Sequence, residues 1–206
     1  MPQQRFKLIL CDLGNVLINF DHRIAVRRIL NFTDKNFDEV YQLFFDSPLT
    51  KDFEEGKIPP ESFFESLKQT LGLKNLSFEE FVPIWNEIFF DNEGIVALLG
   101  TLKKKFHLHL ISNINRLHYE YLLSKFPGHF AIFDRITLSC DVGVRKPAWE
   151  IYRRAIEEEG FKATETFYAD DRQDLVEEAS KFGIPSVVFK DIDDFKRRLK
   201  KFKIFP

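Results

Sequence analysis

Cysteine is nearly missing from this chain. Cys11 and Cys140 are the only two among 206 residues, too few for a disulfide framework or a zinc site built from cysteine alone. Cys11 also lies inside the first apolar run, so a reducing cytoplasm is the simpler setting. No excess of one charge is present either. The 30 Lys and Arg face 32 Asp and Glu, a formal net charge of -2, which gives no global field for nucleic acid or an anionic membrane. Small molecules or proteins are the default partners. Long hydrophobic runs are missing as well: "MPQQRFKLIL" runs into Asp12 rather than into a signal core with a cleavage site, and no later stretch reaches spanning length. The expectation is a cytoplasmic protein. Internal repeats and low-complexity segments are absent too. What is present, 44% hydrophobic and 30% charged residues, suffices for one domain with an insertion or two small ones.

The first run, "FKLILC" (6 to 11), is apolar and bounded by turn chemistry, as a fully buried strand would be. Residues 18 to 92 change character. Phe37, Val40, Tyr41, Phe44 and Phe45 fall at helical spacing, "PPESFFESLKQTLGL" opens with prolines suited to a helix start, and Ser77 with Glu80 reads as a capping box before "FVPIWNEIFF". This stretch reads as an all-helical insert whose many phenylalanines are mostly core. From 93 onward strands and helices alternate: "HLHLIS", "RITLS", "TFYA" and "SVVF" as strands, with helices between them closed by Gly160 and Gly183. Alternation of this length predicts an α/β, Rossmann-like parallel sheet core formed by 1–17 and 93–206, with a small all-helical cap domain over 18–92. The basic run "KRRLKKFK" (196 to 203) reads as the solvated face of the last helix, with Phe195, Leu199 and Phe202 inward.

In sheets of this kind ligands bind at the carboxyl ends of the strands. Asp12 follows the first strand, Ser112 and Asn113 the second, and Asp170 and Asp171 follow "TFYA", while Lys146 precedes a proline at a helix start and can reach the same edge. Alone, Asp12 would be a turn residue or helix cap, and Asp170 and Asp171 an acidic pair favoured by a helix dipole. Together they form a carboxylate, a hydroxyl, a cation and two more carboxylates. That is the equipment for phosphoryl transfer through an aspartyl intermediate, with carboxylates for Mg²⁺ and Lys146, Ser112 and turn amides for the phosphoryl oxygens.

At "LILCDLGNV", "LISN", "VRKP" and "FYADD", in that order, the sequence resembles the haloacid dehalogenase superfamily of hydrolases. More narrowly, "DLGNV", "SNINRLH", "RKPAWEIY" and "FYADD" look like its alpha-D-glucose-1-phosphate phosphatase subgroup. The resemblance spans nearly the whole chain, the helical insert matching the small cap. It implies that Asp12 is the nucleophile, that Ser112 binds the phosphoryl group with Asn113 beside it orienting the phosphate, and that Lys146 balances charge. It further implies that Asp171 ligates Mg²⁺ with Asp170 assisting and the Gly14 carbonyl as another ligand, for a small phosphorylated substrate such as a sugar phosphate. Two departures stand out. Gly14 occupies the place where most phosphatases of the superfamily carry a general acid, so either the leaving group departs easily or a donor is borrowed from Asp21 or His22. Later in motif four an Asn or Asp is usual, and here that place is Leu175 in one register and Asp174 in the other. Arg116 and His118 match the subgroup and are read either as pocket residues or as a helix start. The missing acid keeps a non-catalytic binding protein in consideration. A dehalogenase attacking carbon without metal is the other reading, and "DLGNV" and the acidic "ADD" speak against it.

Overall fold

The structure is a computed structural model that describes residues 5–45 and 47–204. Its strands are β1 (Leu8–Cys11), β2 (Ile18–Phe20), β3 (Phe89–Asp91), β4 (His107–Ser112), β5 (Arg135–Leu138), β6 (Thr166–Asp170) and β7 (Ser186–Val188). Five of them form a parallel sheet in the order β5-β4-β1-β6-β7. β1 is central and wholly buried, and its alternate residues serve opposite faces: Ile9 and Cys11 join one apolar cluster, Leu8 and Leu10 the other. A parallel strand covered on both faces has no solvent side to mark with polar residues, which is why "LILC" is continuously apolar.

Among the described residues five α-helices lie between β2 and β3: α1 (His22–Ile29), α2 (Phe37–Phe45), α3 (Pro48–Glu54), α4 (Pro60–Leu71) and α5 (Phe78–Asn86). Their shared core is aromatic, with Phe44, Phe53, Phe63 and Phe81 around Trp85, all at most 2% exposed. The capping box that opens α5 is present in both directions, Ser77 Oγ accepting from the Glu80 N–H and Glu80 Oε2 from the Ser77 N–H. The remaining helices are α6 (Ile95–Lys103), α7 (Arg116–Lys125), α8 (Pro127–Phe130), α9 (Ser139–Val142), α10 (Trp149–Glu157), α11 (Gln173–Lys181) and α12 (Ile192–Lys201). Gly160 and Gly183 follow α10 and α11 with φ of 74° and 80°, as helix-ending glycines do. α12 buries Phe195 and Leu199 and ends on Arg198, Lys200 and Lys201. No helix among the described residues is long and apolar enough to cross a membrane.

One expectation fails at the edges of the insert. Ile18–Phe20 and the "FFD" of 89–91 are not helical but pair antiparallel, Ile18 opposite Asp91 and Phe20 opposite Phe89. Three residues are too few to show a period, and each strand's partner lies some seventy positions away, beyond any local window. This ribbon brings the two chain crossings of the insert side by side next to the end of β1.

Candidate functional site

The strand order sets β1 between β4 and β6, so Asp12, Ser112 and Asp170 arrive at one edge, with Asp12 N–H bonded to the Ala169 carbonyl at 3.0 Å. Lys146 enters from the loop before α10. Its Nζ donates to Asp12 Oδ1 at 2.6 Å and Asp170 Oδ2 at 2.7 Å, and all three residues are at most 6% exposed. Asn113 fixes this lysine from behind: its Nδ2 donates to the Lys146 carbonyl at 2.9 Å and its Oδ1 accepts the Lys146 N–H at 2.8 Å. The Asn113 amide is therefore spent on the backbone rather than aimed at a ligand. Asp170 is held at both oxygens, the Tyr168 hydroxyl donating to Oδ2 and the Arg172 N–H to Oδ1.

Two carboxylates share one ammonium here, and burial sharpens the imbalance. Burial and the neighbouring Asp170 push Asp12 up to about 7, with Lys146 pulling the other way. For Lys146 burial opposes its charge, yet Asp12 and Asp170 outweigh that and hold the ammonium above its ordinary value. Burial also raises Asp171, against the hydrogen bond from Asn15. Asp12, Asp170 and Asp171 each bring one oxygen to within 4.8 Å of the others. Such an all-oxygen, electron-rich set suits a hard divalent cation, and Asp171, which lies outside the lysine's hydrogen bonds, has room to take it.

The turn after β1 supplies one residue that sequence reading did not single out. Asn15 sits in the left-handed region at φ 52°, a conformation Asn tolerates. Its Nδ2 donates to Asp171 Oδ2 at 2.9 Å while its Oδ1 accepts the Phe20 N–H at 3.4 Å, so one side chain ties the acidic cluster to the ribbon. Asn within a glycine-containing turn was the available signal. Gly14 is needed for space: a Cβ there would stand 2.7 Å from Cε1 of Phe20.

A cavity of about 180 Å³ opens over this edge, with Asp12, Gly14, Ser112, Asn113, Lys146 and Asp171 on its floor. Asp170 lies beneath the floor. The insert side is aromatic: Phe20, His22, Phe45, Trp85 and Phe89, with His118 of α7. His118 spends both ring nitrogens, one with the Asn115 amide and Nε2 with the Trp85 carbonyl at 3.0 Å. Asp21 and Arg116 do not line the cavity. Asp21 caps α1 and pairs with Arg23, and Arg116 pairs with Asp141. The two registers of motif four also resolve: Leu175 lines the cavity, whereas Asp174 turns outward to Arg172 at 2.6 Å, so neither adds a carboxylate to the floor. Glu54 of α3 and Arg145, an ion pair at 2.7 Å, complete the rim.

Comparison with known proteins fits this geometry. The D-ribitol-5-phosphate phosphatase of Bacteroides thetaiotaomicron is 25% identical over 200 residues, 94% of this chain and 96% of that protein. The sesquiterpene phosphatase astK of Aspergillus oryzae is 24% identical over 195 residues, 90% of this chain and 91% of that protein. Among solved structures, a haloacid dehalogenase family enzyme of Bacteroides thetaiotaomicron in complex with magnesium and inorganic phosphate superposes with a TM-score of 0.83. It is 28% identical and covers 94% of this chain and 98% of its own. Residues 6–183 match the model of the haloacid dehalogenase-like hydrolases. The chain belongs to the haloacid dehalogenase-like hydrolase family.

Proposed function

We propose that this protein is a Mg²⁺-dependent phosphatase that hydrolyses a small phosphorylated metabolite through a phosphoaspartyl intermediate at Asp12. The observation that carries this reading is the pairing of Asp12 with Lys146 inside a cluster of three carboxylates at the sheet edge. Phosphatase relatives of matching length and a structural neighbour holding magnesium and phosphate support it. A cluster rich in carboxylates has no task in a metal-free attack on carbon, which argues against the dehalogenase reading.

Lys146 binds Asp12 Oδ1, which leaves Oδ2 to attack phosphorus. The ester P–O bond breaks, the leaving oxygen keeps the electron pair, and the phosphoryl group rests on Asp12. Water then attacks the same phosphorus, restoring the carboxylate and releasing inorganic phosphate. Lys146 and Ser112, with the amides of the turn after β1, face the phosphoryl oxygens. Asp12, Asp171 and the Gly14 carbonyl would hold Mg²⁺, with Asp170 behind them; when bound, the ion offsets repulsion between Asp12 and an anionic ester. In this reading 18–92 is the cap, 1–17 with 93–206 the catalytic core, and the setting is the cytoplasm. Sugar phosphates lead as substrates because of the motif resemblance and the ribitol-5-phosphate relative.

The test is a panel of phosphate esters assayed with Mg²⁺, with anomeric sugar phosphates beside primary-alcohol ones. Turnover should appear with Mg²⁺, vanish on chelation, and fall to background in Asp12→Asn. Wild-type turnover in that variant would overturn the mechanism.

A further inference from the structure

We infer that Glu54 and Arg145 together bind a hydroxyl of the leaving group, and so select polyol phosphates over alkyl phosphates of the same length. The inference rests on the phosphatase reading above and adds to it the residues that recognise the part of the ester other than phosphate.

Size sets the terms. A cavity of about 150 Å³ is filled by one benzene, so about 180 Å³ holds a phosphoryl group and the first few carbons beyond the ester oxygen. Those carbons must lie against the insert wall, and most polar groups of that wall are engaged within the protein. His118 has both ring nitrogens in use. The Thr50 hydroxyl donates to the Phe44 carbonyl at 2.8 Å, and the Trp85 indole N–H is directed at Asn115 Oδ1 at 3.5 Å. Arg172 is paired with Asp174. The His22 ring packs on Phe20 at 4.5 Å and Phe45 at 3.6 Å, with its Nδ1 buried. A polyol resting on these groups alone would lose the hydrogen bonds it makes with water.

Glu54 and Arg145 differ from the rest of the wall. Arg145 Nε lies 2.7 Å from Glu54 Oε2 as an ion pair, yet both atoms are buried without a hydrogen bond of proper geometry. Glu54 Oε1 and the two Nη atoms of Arg145 carry no hydrogen bond among the described residues, and both side chains line the cavity while 21% and 20% exposed. Burial raises the Glu54 carboxyl even against Arg145 and Arg172, as it does for a carboxylate short of donors. A hydroxyl answers both partners at once: its O–H donates to the carboxylate and its oxygen accepts from the guanidinium. A methylene in the same place supplies neither and leaves the two charged groups without water or a substitute for it.

The pair is also held in place. Ser139, fully buried in α9, accepts the Ile114 N–H at 2.9 Å and donates to the Glu54 carbonyl at 2.5 Å. Gly56, two residues further on, lies so close to the Cys140 carbonyl that a Cβ would not fit. The end of α3 is thereby fastened to α9, and Arg145 directly precedes Lys146, whose ammonium binds Asp12. A hydroxyl-binding pair beside that lysine suits a hydroxyl near the ester carbon rather than one at the far end of a chain.

The experiment compares kcat/KM with Mg²⁺ for two series of primary phosphate monoesters matched in carbon number, n-alkyl in one and polyhydroxylated in the other. The wild type should prefer the polyol esters by about 10- to 100-fold, the worth of one hydrogen bond to a charged group. Equal rates, or a preference for the alkyl series, overturn the inference without any variant. In Glu54→Gln, which keeps the shape and loses the charge, the preference should drop about tenfold, and in Glu54→Leu it should vanish. An unchanged preference in both overturns the inference. So does a fall in Glu54→Gln that is equal for polyol and alkyl esters while aryl esters are spared, because that pattern marks a general acid. Loss of the preference in His22→Phe with its retention in Glu54→Leu would move the recognition to His22 and overturn the assignment. Asp12→Asn separates the two levels of argument: surviving turnover there refutes the phosphatase mechanism, whereas equal rates for the two series in the wild type refute this inference alone.

Discussion

On the sheet side of the cavity, Asp12, Lys146, Asn113 and Asp170 hold one another through hydrogen bonds of 2.6–2.9 Å. On the insert side, Phe45 lies on His22 and Trp85 on His118, held by ring contacts and burial. The first region is directional and charged, its side chains held by an ion pair and by hydrogen bonds to one another and to backbone. The second is a packed surface in which shape matters and chemistry is interchangeable within limits. The contrast separates what performs a reaction from what selects the molecule that undergoes it.

The sharpest way to break this contrast is to remove its cation. Lys146→Met leaves Asp12 and Asp170 buried without a counter-charge, and breaking a buried pair in this one-sided way costs about 3–5 kcal/mol. Denaturant unfolding should show that loss in the absence of metal, together with abolished turnover. Asp12→Asn should lose turnover alone, because the lysine keeps Asp170. Equal destabilisation by the two would mean that the floor is not organised around Lys146.

Acid should act on the opposite region. His118 and His22 are neutral in the fold because burial lowers them from 6.5 to about 4 and about 3. Below about pH 6.5 the unfolded chain takes up protons at these histidines that the folded chain refuses, so their contribution to stability rises with pH and is lost as pH falls from about 6.5 towards 4, while the raised Asp12 carboxyl contributes in the opposite sense up to about 7. His109, set against Thr137 in the sheet and also held at about 4 by burial, adds to the same loss. Denaturation midpoints at pH 7 and pH 4.5 measure the slope. His118→Gln should flatten it, and an unchanged slope would remove His118 from the account.

Asn15 joins the two regions, so its loss should be felt as weaker metal binding rather than as unfolding. Removing a group that orients a ligand costs about 10–100-fold in metal affinity. Asn15→Ala should raise the Mg²⁺ concentration needed for half-maximal turnover by that factor, with little change in melting temperature. An unchanged Mg²⁺ requirement would show that Asp171 is positioned by the backbone alone.

The same division explains what could be read from the sequence. Asp12, Ser112 and Asp170 each lie at or just past the end of an apolar run, and strand alternation alone brings such ends to one edge, so the floor was legible without any contact. Its inner wiring was not: that the Asn113 amide clamps the Lys146 backbone depends on two loops meeting across the sheet. The wall was legible only as helices. Phe20 has no local mark in the sequence, because its pairing with Phe89 spans the entire insert and leaves no period. Leu175 and Asp174 are neighbours whose roles differ by the direction each faces on α11, a matter of packing that single-residue register arguments do not reach.

The gentlest perturbation asks whether the wall depends on its helices or on its packing. Ser77 and Glu80 cap α5 reciprocally at its exposed start, two turns from Trp85 at the buried end. Ser77→Ala removes one accepting oxygen and should cost about 1 kcal/mol, seen as a fall of about 2–4 °C in Tm for a chain of this size. Trp85 is fixed by Phe44, Phe63, Phe81 and His118 around it, and the one link to the cap among them, the Phe81 N–H on the Ser77 carbonyl at 3.0 Å, does not use the Ser77 hydroxyl. KM and the preference among esters should therefore stay at wild-type values while Tm drops. A shift in ester preference with so small a loss of stability would mean that the start of α5 sets the position of the indole, and that the aromatic wall is less self-supporting than its packing implies.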